Sequence, residues 1–391
     1  MSVAHSATQG ELIVTDVEAL LGELIAFPSV NPRGRPEAAE TPLARWIAQW
    51  ASERGMDVHT QEVLDGRLNV VVTLPGTSAE VILLETHLDT VEADAMAVEP
   101  FTPTRLDGRI YGRGACDAKG PLAVFMAAMD AVRCKGLPHH TVVLAGVVDE
   151  EHQYKGVQEF RTLGIKPIGA VIGEPTRLRM VTAHKGCMRC VITASGPGGH
   201  SSEPWGRTNP IETIAEVIKY LSTEESARLS ADERPLVGPP SLAVTLISGG
   251  QGPNVLPDTA AITVDRRTVA GEDPHEVWQA LSDDLCSRWP DNLGVAPPHI
   301  VDYALQTDPA DPFVESFARV LAEHSLEHRP KGVGHGTDAS KIALDGIPAV
   351  VFGPGSIESA HTPDEFVPIE DLHRAQTVIE ALLTTTAEKS G

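Results

Sequence analysis

The sequence predicts an α/β fold interrupted by a smaller α+β unit, on three observations. Up to His184-Lys185-Gly186, apolar runs of strand length alternate with stretches of helical periodicity, the pattern of a sheet covered by helices on both faces. After that point the order becomes β-α-β-β-α and closes with a strand near residues 299–303, which fits a ferredoxin-like unit. Helix, strand and helix signals then resume over residues 311–326, 348–352 and 370–384, so the second unit is an insertion into the first.

Local chemistry justifies each element. Ile13, Val17, Leu20, Leu21, Leu24 and Ile25 recur at spacings of three and four, which predicts an amphipathic helix over residues 13–27. Thr41-Pro42 opens a second helix, because proline at the first helical position sacrifices no hydrogen bond. Leu43, Trp46, Ile47, Trp50 and Ala51 mark its apolar face, and Gly55 ends it. A strand near residues 69–74 stops at Pro75-Gly76. Strands are expected from Val81 and over residues 141–148 and 169–173, with helices over 121–133 and 155–163. In the insertion, a strand over residues 188–194 runs into the Gly-rich segment 195–199. Asn209-Pro210 then starts a helix whose face is Ile211, Ile214, Ala215, Ile218 and Leu221. Strands over residues 241–247 and 260–266 precede a helix from Asp273-Pro274, with Val277, Trp278, Leu281 and Leu285 on one side. Residues 235–240 read as a loop.

Composition excludes several functions. A net charge of −23 opposes nucleic acid and anionic lipid, which need clustered Lys and Arg. No apolar run is long enough to span a bilayer, and the polar stretch 1–10 has no signal-peptide pattern. Five cysteines do not make a disulfide framework in a chain of 391 residues, so a reducing, cytoplasmic setting is expected. Cys187 and Cys190 form a C-x-x-C within a strand-like run, where their spacing places them on opposite faces. They read as two strand cysteines rather than a redox or zinc pair.

Five polar clusters carry the chemistry. They are Glu85-Thr86-His87-Leu88-Asp89, Gly114-Ala115-Cys116-Asp117, Asp149-Glu150-Glu151, Gly173-Glu174-Pro175-Thr176 and Ala360-His361-Thr362-Pro363. Three of them follow apolar strands, and in an open α/β sheet ligands bind just outside the carboxyl ends of the strands. Each offers an imidazole or carboxylate suited to a divalent ion of the zinc kind. His87 and Asp89 share one strand face, so Asp89 can hold the other ring nitrogen of a ligating His87. Asp117 has two oxygens that can bridge two ions; it also reads as a helix N-cap. Adjacent Glu150 and Glu151 at a strand end are costly without balancing cations and can divide into a ligand and a general base. No G-x-G-x-x-G or Walker sequence follows a strand, so nucleotide binding lacks support.

These motifs, in this order from residue 85 to residue 365, resemble the M20 family of metallohydrolases, the group that includes acetylornithine deacetylase and succinyl-diaminopimelate desuccinylase. The resemblance implies a zinc-dependent catalytic domain over residues 1–185 and 304–391, with a lid and dimerisation domain over 186–303. It implies two Zn²⁺ per subunit, for which Co²⁺ can substitute. His87 and Glu174 would ligate one ion, Glu151 and His361 the other, with Asp117 bridging. Asp89 would orient His87, and Glu150 would act as general base on a water between the metals. His200, in Gly198-Gly199-His200-Ser201-Ser202, would stabilise the oxyanion from across a homodimer. Arg267 would grip the substrate α-carboxylate, beside a contact from Asn254. The segment Gly336-Thr337-Asp338-Ala339 resembles a family loop near the substrate. Glu174 in its G-E-P-T motif, Thr182-Ala183-His184-Lys185-Gly186 and the stretch from Pro354 to Glu365 look most like the deacetylase and its desuccinylase sister. The expected substrate is therefore an N-acyl amino acid with a free carboxylate, N-acetylornithine first. Succinyl-diaminopimelate, a broad set of acylated amino acids or a dipeptide are the alternatives. A binding protein that kept the fold without the chemistry should have lost ligands or the base, and all are present.

Overall fold

The structure, a computed structural model, describes residues 14–385 apart from 36 and 38. Ile13 and the polar stretch 1–10 lie outside the described residues. The chain divides into two compact units, one of residues 1–180, 310–329 and 347–391, the other of residues 181–309 and 330–346.

The first unit opens with α1 (Val17–Ile25), capped by the Asp16 carboxylate on the Glu18 and Ala19 amides. Helix α2 (Thr41–Glu53) follows, with Pro42 in its first turn. Strands β1 (Asp57–Leu64) and β2 (Arg67–Leu74) form an antiparallel hairpin, and β3 (Val81–His87) comes next. Two short strands, β4 (Thr104–Leu106) and β5 (Arg109–Tyr111), precede α3 (Lys119–Lys135). Strand β6 (Thr141–Val147), α4 (Lys155–Arg161) and β7 (Gly169–Ile172) complete this part.

In the second unit, β8 (Val181–His184) leads to β9 (Cys187–Ser195) and the two-residue β10 (Gly199–His200). Helix α5 (Pro210–Tyr220) continues through a π-turn at Leu221–Glu225 into α6 (Ser226–Ser230). Then come β11 (Ser241–Gly249), β12 (Val255–Leu256), β13 (Thr259–Arg267), α7 (Pro274–Arg288), β14 (Leu293–Val295), β15 (Ile300–Asp302) and β16 (Leu305–Gln306). The chain returns to the first unit for α8 (Pro312–Glu323), passes β17 (Lys331–Val333) and α9 (Ala339–Ala343) in the second, and ends in the first with β18 (Ala349–Val351), β19 (Phe366–Pro368) and α10 (Ile369–Thr384).

The main sheet of the first unit runs β1-β2-β6-β3-β7-β18, parallel from β6 onward. The carboxyl ends of β3, β6, β7 and β18 therefore share one edge, where the polar clusters emerge. Helix α3 is buried along residues 119–132, which explains why it is apolar all round rather than on one stripe. It packs in the main core with α1, α10 and the sheet, where Phe317 and Phe352 meet edge to face with centroids 5.2 Å apart.

In the second unit, β11-β13-β9-β14 form an antiparallel sheet, and β15 also pairs with β9. This is the ferredoxin-like arrangement. Its core is Met188, Cys190, Ile192, Ile214, Val217, Leu221, Val264 and Leu285. The expected face of α5 needs correction: Thr213, Ile214, Val217 and Leu221 are buried, while Ile211 and Ala215 are exposed. Asn209 and Asp273 cap α5 and α7 through side-chain acceptance of first-turn amides. All five cysteines are unpaired.

Candidate metal centre

Strand β3 ends on His87, only 2 % exposed, and Leu88 continues the ladder by donating its amide to Val147 at 2.7 Å. The His87 ring is fixed from behind by backbone. Nδ1 lies 2.9 Å from the Asp89 carbonyl oxygen and 3.6 Å from the Asp89 carboxylate. A carbonyl only accepts, so Nδ1 carries a hydrogen and Nε2 faces forward. There Nε2 meets Asp117 Oδ1 at 2.9 Å and Glu174 Oε1 at 3.9 Å. Fully buried Asp89 spends its carboxylate on the next strand end, accepting from the amides of Glu150 (3.1 Å) and Glu151 (3.0 Å) and from Asn31 Nδ2 (2.8 Å).

Asp117 sits in a tight loop before α3, followed by a cis peptide bond to Ala118. Gly114 in that loop has φ +84°, and a Cβ there would lie 2.9 Å from Thr90 Cγ2 and Lys119 Cδ, so only glycine fits. The loop is clasped by Glu365, whose buried carboxylate accepts from Gly114 N (3.0 Å), Cys116 N (2.9 Å), Asp117 N (3.0 Å) and Arg113 Nη1 (2.7 Å). Nothing in the spacing of the sequence signals this clasp, which closes a separation of 248 residues to Asp117.

His361 reaches the other side of Asp117. Its Nε2 lies 3.2 Å from Asp117 Oδ2 and 2.8 Å from Glu151 Oε1. Its backbone is left-handed at φ +59°, an uncommon conformation for a residue with a side chain. The two oxygens of one carboxylate thus face two imidazoles from opposite sides, with Glu151 and Glu174 outside them. The donor atoms of His87, Asp117 and Glu151 all lie within 4.8 Å of one another.

The electrostatics follow from this crowding. Burial would lower the His87 pKa, but contacts with Asp117, Asp89 and Glu174 outweigh it and raise it well above the usual value. Asp117 and Glu151 push His361 up to about 10. Burial would raise Asp117, yet the two imidazoles hold it below the usual carboxylate range. Burial pushes Glu151 up, only partly offset by His361. Each forward-facing Nε2 is surrounded by acceptors alone, so the pocket demands cationic hydrogen or cationic metal at those points. Two imidazoles and three carboxylates are a donor set suited to ions of the zinc kind.

A buried network supports the floor. Arg67 donates to Glu40 Oε2 at 2.8 Å and to Asp149 Oδ1 at 3.0 Å, and Asn31 Nδ2 also reaches Asp149 at 3.2 Å. Sequence reasoning missed Asn31, Glu40, Arg67 and Glu365; each lies outside the five clusters or carries no ligand signature of its own.

The model of peptidase family M20/M25/M40 matches residues 83–385. The chain belongs to this family. It is a hydrolase. The acetylornithine deacetylase of Proteus mirabilis is 33 % identical over 362 residues, covering 89 % of this chain and 91 % of that one. A Staphylococcus aureus tripeptidase superposes with TM-score 0.79 at 20 % identity, covering 96 % of this chain and 99 % of the other. A dinuclear metal-binding M20 peptidase of Bacillus subtilis gives TM-score 0.69 at 16 % identity, covering 94 % and 96 %. These two structures share the fold.

The three remaining M20 candidates lie in the second unit. His200 is exposed on β10, its Nδ1 2.7 Å from Ser202 Oγ, and it pairs in register with Val255 of β12. Asn254, also exposed, accepts the Ser201 amide through its carbonyl at 3.0 Å. Arg267 holds Asp265 with two nitrogens, at 2.7 and 3.4 Å. The segment 336–339 is packed on Asp302, which also accepts from Lys341 and from Ser340 Oγ at 3.2 Å.

Proposed function

We propose that this M20 hydrolase uses two Zn²⁺ ions to cleave the amide bond of an N-acyl amino acid, with N-acetylornithine as the leading substrate. The observation that carries the reading is Asp117, whose two oxygens face His87 and His361 separately. The 33 % identity to an acetylornithine deacetylase supports the acyl amino acid over other amides.

His87, Asp117 and Glu174 would hold one ion, and Asp117, Glu151 and His361 the other. When bound, such ions would supply Lewis-acid chemistry to the scissile carbonyl and to a water. Glu150 would accept a proton from the attacking water and return it to the leaving nitrogen. Asp89 keeps the Glu150–Glu151 turn in place through their amides. The second unit, a lid and dimerisation domain in this reading, contributes His200 as oxyanion donor across a homodimer. Arg267 and Asn254 bind the substrate carboxylate end; Arg267 must exchange Asp265 for the substrate, a like-for-like swap of carboxylates. With its cysteines unpaired, the protein suits a cytoplasmic setting.

The test is a panel of acetylated, succinylated and other acylated amino acids beside free dipeptides, assayed with Zn²⁺ or Co²⁺. Highest kcat/KM on N-acetylornithine is expected. Turnover of unacylated dipeptides alone would overturn the deacylase reading.

A further inference from the structure

The amino ends of β3 and β6 hold a cluster that the hydrolytic centre does not use. Glu80 directly precedes β3, and His139-His140 directly precede β6. The two strands pair in parallel with Val81 opposite Thr141, so the residues before them are also neighbours. Backbone bonds fix the approach: Thr141 N donates to the Glu80 carbonyl at 2.9 Å, and Ser78 N to the His139 carbonyl at 2.7 Å. One donor atom from each of Glu80, His139 and His140 lies within 4.8 Å of the others.

His140 is the informative member. It is only 5 % exposed, yet its buried Nδ1 has no hydrogen-bond partner among the described residues. A buried polar nitrogen left this way costs free energy. Its neighbour is Glu80 Oε2 at 3.5 Å, long for a hydrogen bond. Two donors each about 2.0–2.2 Å from one tetrahedral ion stand roughly 3.3–3.5 Å apart, which matches. The His139 and His140 rings meet edge to face with centroids 4.6 Å apart.

We propose that Glu80, His139 and His140 form a separate site for a single divalent transition metal of the zinc, copper or nickel class, completed by water. Two imidazoles and a carboxylate select these ions over magnesium or calcium. The site lies at the opposite end of the strands from His87, about 20 Å away along a seven-residue strand.

The full chain, freed of metal with EDTA and dialysed against buffered micromolar Zn²⁺, is assayed by elemental analysis. Glu80→Gln, His139→Asn and His140→Asn are compared with wild type. Each variant should hold one zinc fewer per chain, or bind that zinc at least tenfold more weakly. Glu80 and His139 sit toward the surface, so their variants carry the test if His140→Asn fails to fold. Equal zinc content and affinity in wild type and variants would overturn the site. The comparison is a difference between chains, so it stands whatever the hydrolytic centre binds.

Discussion

Asp117 has two faces and one backbone amide, and each has a distinct partner: His87, His361 and Glu365. The division of labour around it leads to two expectations. Glu150→Ala removes the proposed proton carrier but none of the five donors. Metal content should stay near wild type while kcat falls by about 10²–10⁴-fold. Elemental analysis beside steady-state kinetics checks this; wild-type kcat would remove Glu150 from the base role. Glu365 touches no proposed reactant, yet it satisfies three amides and a guanidinium. Glu365→Gln exchanges an acceptor for a donor facing those N–H groups, at about 1–3 kcal/mol for each one orphaned. We expect a lower Tm together with reduced zinc affinity, read by calorimetry and competitive chelation, because the Asp117 loop loses its anchor.

At the scale of elements, β8 buries His184 completely. Burial lowers its pKa to about 4, with Asp302 opposing and Lys341 and His335 assisting. The unfolded chain titrates near 6.5, so between pH 6.5 and 4 it binds more protons than the folded chain. Stability is therefore full above pH 6.5, falls as pH drops below it, and stops falling near pH 4. At pH 5 the loss from this one group is about 2 kcal/mol. His184→Gln should narrow the Tm difference between pH 7 and pH 5; an unchanged difference would mean His184 does not govern acid sensitivity. Elements were legible in the sequence where one strong signal acted alone. The apolar runs of β3, β6 and β7 and the proline-marked starts of α2, α5 and α7 are of this kind. The half-exposed β1 escaped because its alternation is blurred by polar residues on both faces. The α5 face was misjudged because helical spacing alone does not say which of Ile211 and Thr213 meets the sheet. The polar clusters stood out as carboxylates and histidines at strand ends. Glu365 and Arg67 did not, since their meaning comes from partners brought close only by folding.

Over the whole molecule, a net charge of −23 coexists with a pocket where Asp89, Asp117, Glu151 and Glu174 converge near two histidines. Without bound cations these carboxylates repel one another, and protons on the imidazoles compensate. Ions that bind the folded chain alone add RT ln(1 + [L]/Kd), about 3 kcal/mol at a hundredfold excess over Kd. For a chain of this size that corresponds to roughly 3–5 °C in Tm. EDTA-treated protein should melt lower by that amount and recover with Zn²⁺. Part of the recovery could come from ions held elsewhere on the surface, so the decisive comparison is Asp117→Asn. Removing the negative charge that faces both imidazoles should abolish most of the zinc-induced rise, while the metal-free Tm stays at or below that of wild type, because the protonated imidazoles lose their shared counter-charge. A zinc response of wild-type size in Asp117→Asn would mean that the ions stabilise the protein from some other place.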